Sequence, residues 1–267
     1  MTGCFNGITD AKWSIIKSFF PQKKSQIGRP YANFRCVLNS ILYVLIEGGR
    51  WSSIPKGKIW APKSTAYGWH KKFSTDGTLG QILSIIIKKA DSKGLIEWEN
   101  VEFDGTFSPG KGGGEKVEYG YKGKGSTIHL VADGNGMALN TTVTAANGDE
   151  RLEITPLLSG PQIRKDGSIE NGHADKGYDS KYVRENLVSF GIKPAIPYRN
   201  FKNRVRKIAN AAGPKVRWKV ERCFAWIKSK FRRIATRWER KVVIWKGFID
   251  LAIIMMWLDK GSVNQTV

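Results

Sequence analysis

Apolar residues recur at helical spacing through the first hundred positions. Trp13, Ile16 and Phe20 follow Thr9, whose hydroxyl suits a helix N-cap, and Pro21 ends that run. Phe34, Leu38, Ile41, Leu42 and Leu45 predict a second helix, stopped by Gly48-Gly49. After a turn at Trp51-Ser-Ser-Ile-Pro55, Ser64 or Thr65 is placed to cap a third helix bearing Tyr67, Trp69, His70, Lys71, Lys72 and Phe73. From Trp98 the period changes. Val101-Glu-Phe-Asp104 predicts a short strand ending in an acid. Ser126 to Ala132 and Met137 to Ala145 predict strands joined by the hairpin turn Asp133-Gly-Asn-Gly136. A short helix over Arg151 to Leu158, a strand at Gly172 to Asp175, a helix from Ser180 to Phe190, a strand at Lys193 to Ile196 and a long helix from Val216 to Trp238 complete the series. The Gly/Lys-rich stretch Gly110 to Gly125 reads as a mobile loop.

Strands that come first in hairpin fashion and then alternate with helices predict an α/β fold, a mixed sheet flanked by helices, behind a helical region. The expected boundaries are 1–97 for a helical domain, 98–260 for the α/β domain and 261–267 for a tail. Val242 to Leu258 is apolar but carries Lys246 and Asp250, which suits a buried helix better than a bilayer span. Cys4, Cys36 and Cys223 form no Cys-x-x-Cys pair and are odd in number, which excludes a disulfide scaffold and a cysteine zinc site. The first ten residues lack the basic-then-apolar plan of a signal peptide. These features predict a soluble cytoplasmic protein without a membrane partner.

Charge changes the picture. The 267 residues carry 44 Lys and Arg against 23 Asp and Glu, a formal net charge of +21. It is unevenly spread: residues 104–198 are near neutral, whereas residues 199–241 hold 16 basic and two acidic side chains. A basic run alone reads as a solvated helix face. Here Trp218, Phe224, Trp226, Phe231 and Trp238 interleave with the charge, and apolar anchoring beside a phosphate-facing side favours nucleic acid. The third helix, ending in Lys71-Lys72, fits a helix-turn-helix-like DNA reader or a plain packing bundle equally well.

Three acids stand out by position. Asp104 and Asp175 close predicted strands, and Glu221 lies on the long helix. Neighbouring strand ends with one helix across them can gather three carboxylates, ligands that suit hard ions such as Mg²⁺. Two such ions can activate an attacking oxygen and stabilise a leaving one in phosphoryl transfer. Asp133, Asp149, Asp166 and Asp179 read as turn formers or surface charges. At about 100° per residue, Glu221 and Lys228 fall within about 40° of Arg217. Val220, Phe224, Ile227, Phe231 and Ile234 form a separate apolar stripe. His173, two positions before Asp175, either approaches the acids or is a hydrogen-bonded structural histidine. Cys223 reads as packing.

Several words of the sequence resemble DDE transposases of bacterial insertion sequences. They are Ile8-Thr-Asp-x-x-Trp13, Gly28-Arg-Pro30, Trp51-Ser-Ser-Ile-Pro55, Asp104-Gly-Thr, Tyr121-Lys-Gly-Lys-Gly125, Ile128-His-Leu130, Asn147-Gly-Asp-Glu-Arg151, Ala174-Asp-Lys-Gly-Tyr-Asp179, Val220-Glu-Arg-Cys-Phe-Ala-Trp226 and Arg232-Arg233. Each word is weak; their order and spacing over nearly the whole chain are specific. The resemblance implies an RNase H-like catalytic domain with Asp104, Asp175 and Glu221 as catalytic metal ligands. Arg217, Glu221 and Lys228 match the family's Tyr-x2-Arg-x3-Glu-x6-Lys signature, while its tyrosine position is Pro214 here. It also implies two Mg²⁺ ions per site, with Mn²⁺ as a substitute, and a homodimer on double-stranded DNA, both terminal inverted repeats and target. Arg217, Lys219, Arg222 and Lys228 are then expected near the scissile phosphate. Arg232, Arg233, Arg237 and Arg240 are expected further along the backbone, with Lys71 and Lys72 as further DNA contacts. The implied location is the bacterial cytoplasm, on the nucleoid. A silent DNA binder, a nuclease that does not join strands and an RNA-binding protein are the competing readings.

Overall fold

The computed structural model describes residues 5–21, 31–199 and 218–263. Cys4, Gly28 to Pro30, Pro214 and Arg217 lie outside the described residues. The chain divides into two compact units, Met1–Ile86 with Ile227–Val267, and Ile87–Trp226. This division differs from the expected boundaries: the C-terminal apolar segment clusters with the N-terminal helices and not with the sheet.

The first unit is helical. Its elements are α1 (Asp10–Ile16), α2 (Phe34–Glu47), α3 (Lys63–Thr75), and, past the sheet, α8 (Arg232–Ala235) and α9 (Val242–Val263). Thr9 caps α1 through Lys12 N, and Asn33 caps α2 through the amides of Arg35 and Cys36. α3 starts after Pro62 without a side-chain cap, so neither Ser64 nor Thr65 plays that part. Val37, Leu42, Leu45, Phe73, Trp245, Phe248, Ile249 and Ile253 are fully buried. α9 is apolar on all sides because it runs through this core. Its mid-helix charges pair with each other, Lys246 with Asp250 one turn on, and Asp259 near its end pairs with Lys12 and Lys230. Among the described residues no helix is long and apolar enough to cross a membrane.

The second unit is built on a six-stranded sheet: β1 (Asn100–Pro109), β2 (Glu118–Gly120), β3 (Gly123–Asp133), β4 (Ala138–Ala145), β5 (Asn171–His173) and β6 (Lys193–Ala195). The path runs β2-β3-β1-β5-β6, with β4 also on β3. β1, β3 and β4 pair antiparallel, whereas β1, β5 and β6 are parallel. Helices α4 (Thr78–Ser92), α5 (Ile154–Leu158), α6 (Lys181–Ser189) and α7 (Trp218–Lys230) accompany it; the division between units falls inside α4 and α7. This is the mixed, RNase H-like sheet that was expected, behind a helical region.

Four details differ from expectation. β1 continues five residues past Asp104, because Gly105 to Pro109 pair with Gly125 to His129 on β3. The Gly/Lys-rich stretch contains β2 and is no featureless loop. α4 goes unmarked in the sequence reading although Leu79, Ile82, Leu83, Ile86 and Ile87 supply its buried face. The long final helix stops at Lys230, and Phe231 takes non-helical angles before α8.

Candidate active site

β1 and β5 lie side by side with Glu102 opposite His173. Asp104 and Asp175 each follow this last pair by two residues, and both act on Glu150, which puts them in one neighbourhood. Asp104 stands inside β1, where its Oδ1 accepts the Gly105 amide at 2.7 Å. Asp175 stands just past β5, at the head of the turn Lys176–Tyr178, and its Oδ1 accepts the Gly177 amide at 2.6 Å.

A third carboxylate joins them that sequence reasoning passed over. Glu150 opens the turn Glu150–Glu153, which Asp149 caps by accepting the Arg151 amide. Burial raises the pKa of Glu150, and the charges of Asp175, Asp104 and Asp149 raise it further. A Cβ at Gly177 would lie 2.6 Å from Asp175 Oδ1 and 2.8 Å from Glu150 Oε1, so only glycine fits between these two carboxylates. Beside them Tyr178 is 1% exposed, and its hydroxyl has no hydrogen-bond partner among the described residues. Burial, then Glu150, Asp104 and Asp175, hold that phenol protonated far above its ordinary pKa. The signal that could have flagged Glu150 is an acid pair, Asp149-Glu150, between a strand and a short helix.

Glu221 is exposed on the first turn of α7. That turn is fastened to the sheet from several sides. The Val220 amide donates to Glu102 Oε2 at 3.2 Å, the Lys219 ammonium to Gly134 O, and the Arg222 guanidinium to Asn135 O at 3.1 Å. Val220, Cys223 and Phe224 are buried beneath it, as the apolar stripe predicts. Glu102 alternates with Phe103 and so projects from β1 on the same side as Asp104. Burial lifts its pKa to about 7, against the pull of the Val220 amide and Lys219. Strand β1 thus carries Asp104 and fixes the start of the helix that carries Glu221.

The donor set, carboxylate oxygen throughout, suits a hard divalent cation, and the mutual repulsion at Glu150 is what such a cation would relieve. Among the described residues no group of three or more His, Cys, Asp or Glu side chains is arranged to enclose an ion.

The remaining candidates sort by their partners. His173 Nε2 meets Asn100 Oδ1 at 3.0 Å, tying β5 to β1, and His129 Nε2 meets Thr144 Oγ1 at 2.7 Å. Both act as structural histidines; burial pushes His129 down to about 4. Asp133 accepts the amides of Glu97, Asn135 and Met137, Asp166 that of Ser168 and Asp179 that of Arg199. Buried Cys223 is packing, its thiol pushed up to about 12.

The basic side chains divide as well. Arg232 and Arg240 are exposed, as are Lys71 and Lys72 on α3, where Lys72 pairs with Asp76 at 3.2 Å. Lys228 is half-buried. Arg222, expected at a phosphate, is instead sandwiched between Trp218 and Trp226, 4.5 and 4.7 Å from their ring centroids. Arg233 and Arg237, expected to follow DNA, are buried. Arg233 pairs with Glu239 at 2.7 Å and donates to Gly49 O, while Arg237 donates to the carbonyls of Glu239 and Arg240. Their charge is spent inside the helical unit.

Comparisons with known proteins point to one family. Residues 100–257 match the family model described as transposase DDE domain, and residues 8–83 match the putative transposase family of the IS4/5 type. A putative transposase for insertion sequence element IS402 of Burkholderia cepacia is 34% identical over 150 residues, 54% of this chain and 68% of that protein. The putative transposase for IS6501 of Brucella ovis is 26% identical over 137 residues, 49% of this chain and 96% of that protein. Among solved structures, the piggyBac transposase synaptic complex with hairpin DNA aligns at TM-score 0.51 and 11% identity, over 96% of this chain and 72% of that one, a likeness of fold.

Proposed function

The chain belongs to the DDE transposases, and from that premise we propose that it moves its own insertion sequence by metal-dependent cleavage and joining of DNA. It binds the terminal inverted repeats as a homodimer. Asp104, Asp175 and Glu221 hold two Mg²⁺ ions, or Mn²⁺ in their place, with Glu150 beside them. Bound there, the ions supply the charge that activates an attacking oxygen and stabilises a leaving one. Asp104 would hold the metal from the same strand that anchors the start of α7 through Glu102.

The chemistry runs in two displacements. Water attacks a phosphodiester at each element end: a new P–O bond forms as the P–O3′ bond breaks, and the departing 3′ oxygen takes up a proton to become a 3′-hydroxyl while the 5′-phosphate keeps the water's oxygen. That hydroxyl attacks a phosphate of the target, one P–O bond replacing another, so joining requires no outside energy source. Lys228 and Arg217 neutralise phosphates near the scissile bond, Arg232 and Arg240 follow the backbone further out, and Lys71 and Lys72 are further DNA contacts. Lys219 and Arg222 serve this step by fastening the first turn of α7, which keeps Glu221 in reach.

The observation that carries the reading is the pairing of β1 with β5, each followed two residues past the last pair by an acid, Asp104 and Asp175, with Glu150 in the field of both. The test uses purified protein, Mg²⁺ and labelled DNA with the inverted repeats that flank the gene. Cleavage at the ends plus joined products, both lost in Asp104→Ala and Glu221→Ala, is the expected result. Cutting without joining would make the protein a nuclease, and binding without cutting in Mg²⁺ or Mn²⁺ would leave a DNA-binding protein.

A further inference from the structure

The stretch Gly110 to Gly125 forms a hairpin whose tip has no job in the scheme above. Tyr119 pairs with Lys124 and Gly120 with Gly123, leaving Tyr121-Lys122 at the turn. The tip is held firmly. Asn147 Nδ2 donates to Glu118 at 2.8 Å, Lys116 Nζ to Val143 O at 2.8 Å, and Ser126 Oγ to Lys116 O. Gly120 lies so close to the Ala146 carbonyl that a Cβ there would overlap it. On this fixed base Tyr119 is 74% exposed and Tyr121 is 104% exposed, the two barest large aromatic or aliphatic side chains among the described residues. Lys122 and Lys124 are exposed beside them, Lys124 standing 5.5 Å from the Tyr119 ring centroid. From Tyr119 through Lys124 there is no acid.

We propose that this hairpin tip is a stacking platform for unpaired bases of DNA, a role that rests on the reading of the chain as a DNA transposase. Open aromatic faces next to ammonium groups are the chemistry that takes a nucleobase and its phosphate together, without regard to sequence. A duplex presents the phosphates but covers its base faces by stacking, so the rings select unpaired strand. A second copy of the chain is a poor occupant, because a tip carrying only lysines would meet a partner that is itself at +21. The position is apt. Pro109 pairs with Gly125 at the root of the hairpin, and five residues back along β1 stands Asp104. At about 3.3 Å per residue the root of the hairpin lies about 17 Å along β1 from Asp104, with the rings beyond it.

The experiment measures binding of fluorescent oligo(dT) and of a duplex of equal length by the full chain in EDTA, so that nothing is cut. Replacing both rings, Tyr119→Ala with Tyr121→Ala, is expected to weaken oligo(dT) binding by about tenfold or more while duplex affinity stays within about twofold. Tyr119→Phe with Tyr121→Phe is expected to keep wild-type binding, and the thermal midpoint is expected to stay put in both. Photocrosslinking of 5-iododeoxyuridine oligonucleotide to Tyr119 or Tyr121 would place the base directly. Unchanged oligo(dT) binding in the alanine variant, an equal loss on both DNAs, or dissociation of a dimer by that variant would each overturn the platform. If the wild type binds duplex but no oligo(dT), the platform falls and the transposase reading stands; if it binds neither, both fall.

Discussion

The two units treat charge in opposite ways. In the helical unit the buried polar groups described above have partners: Arg233 pairs with Glu239, Asp250 with Lys246, Arg237 donates to the carbonyls of Glu239 and Arg240, and His70, fully buried, is kept neutral against the Ile244 carbonyl. In the sheet unit Asp104 and Asp175 raise the cost of ionising Glu150 beside them, and the adjoining Tyr178 phenol has no hydrogen-bond partner among the described residues. A unit that settles its electrostatics internally is built to persist. One that crowds like charges together favours something that carries the opposite charge.

That contrast can be broken most forcefully at the Arg233–Glu239 pair. Glu239→Ala strands a buried guanidinium and is expected to remove about 3–5 kcal/mol of stability, seen as a large fall in the denaturant midpoint. A change near zero would mean that the pair is solvated and the helical unit is no better settled than the sheet.

His70 gives the next effect, and its sign is fixed by which state takes the proton. Burial lowers its pKa from 6.5 to about 4, so between these values the unfolded chain binds more protons than the folded one. Stability from this group is complete above about pH 6.5 and is lost as the pH falls toward 4, by about 3 kcal/mol at most. Denaturation curves at pH 4.5 and 7 check it, and His70→Gln is expected to flatten that part of the profile.

On the other side of the comparison, Glu150→Gln removes one of the crowded charges. The thermal midpoint of the metal-free protein is expected to rise, while Mg²⁺ binding by calorimetry weakens about 10–100-fold. A fall in the midpoint would show that Glu150 is a structural partner and not a surplus charge. The smallest effect belongs to the N-cap of α2: Asn33→Ala is expected to cost about 1 kcal/mol, without touching either charge pattern.

What the sequence makes legible follows the same line. Asp104 and Asp175 are found from strand pattern alone because alternation and chain order are local. The turn formers and the buried stripe of α7 are local too. The continuation of β1 is not: Gly105 to Pro109 have little strand preference and owe their state to β3. The hairpin at β2 is hidden by its glycines and lysines, since its anchors on Val143 and Asn147 lie 27 and 29 residues away along the chain. Arg233 and Arg237 look like DNA contacts in a basic run, and only the fold brings Glu239 and the Gly49 carbonyl to them. Glu150 escapes for the same reason, because its significance is who its neighbours are.

The register between β1 and β5 also sets where the gene can change length. Between Asn100 and Asp104 one inserted codon would turn Asp104 to the other side of the sheet, since side chains alternate. Between β4 and β5 the chain owes no such parity, and doubling a connection there costs only about 0.6 kcal/mol in closure entropy. Insertions and deletions among relatives should therefore gather between Ala145 and Asn171, while the five codons that lead into Asp104 keep their number.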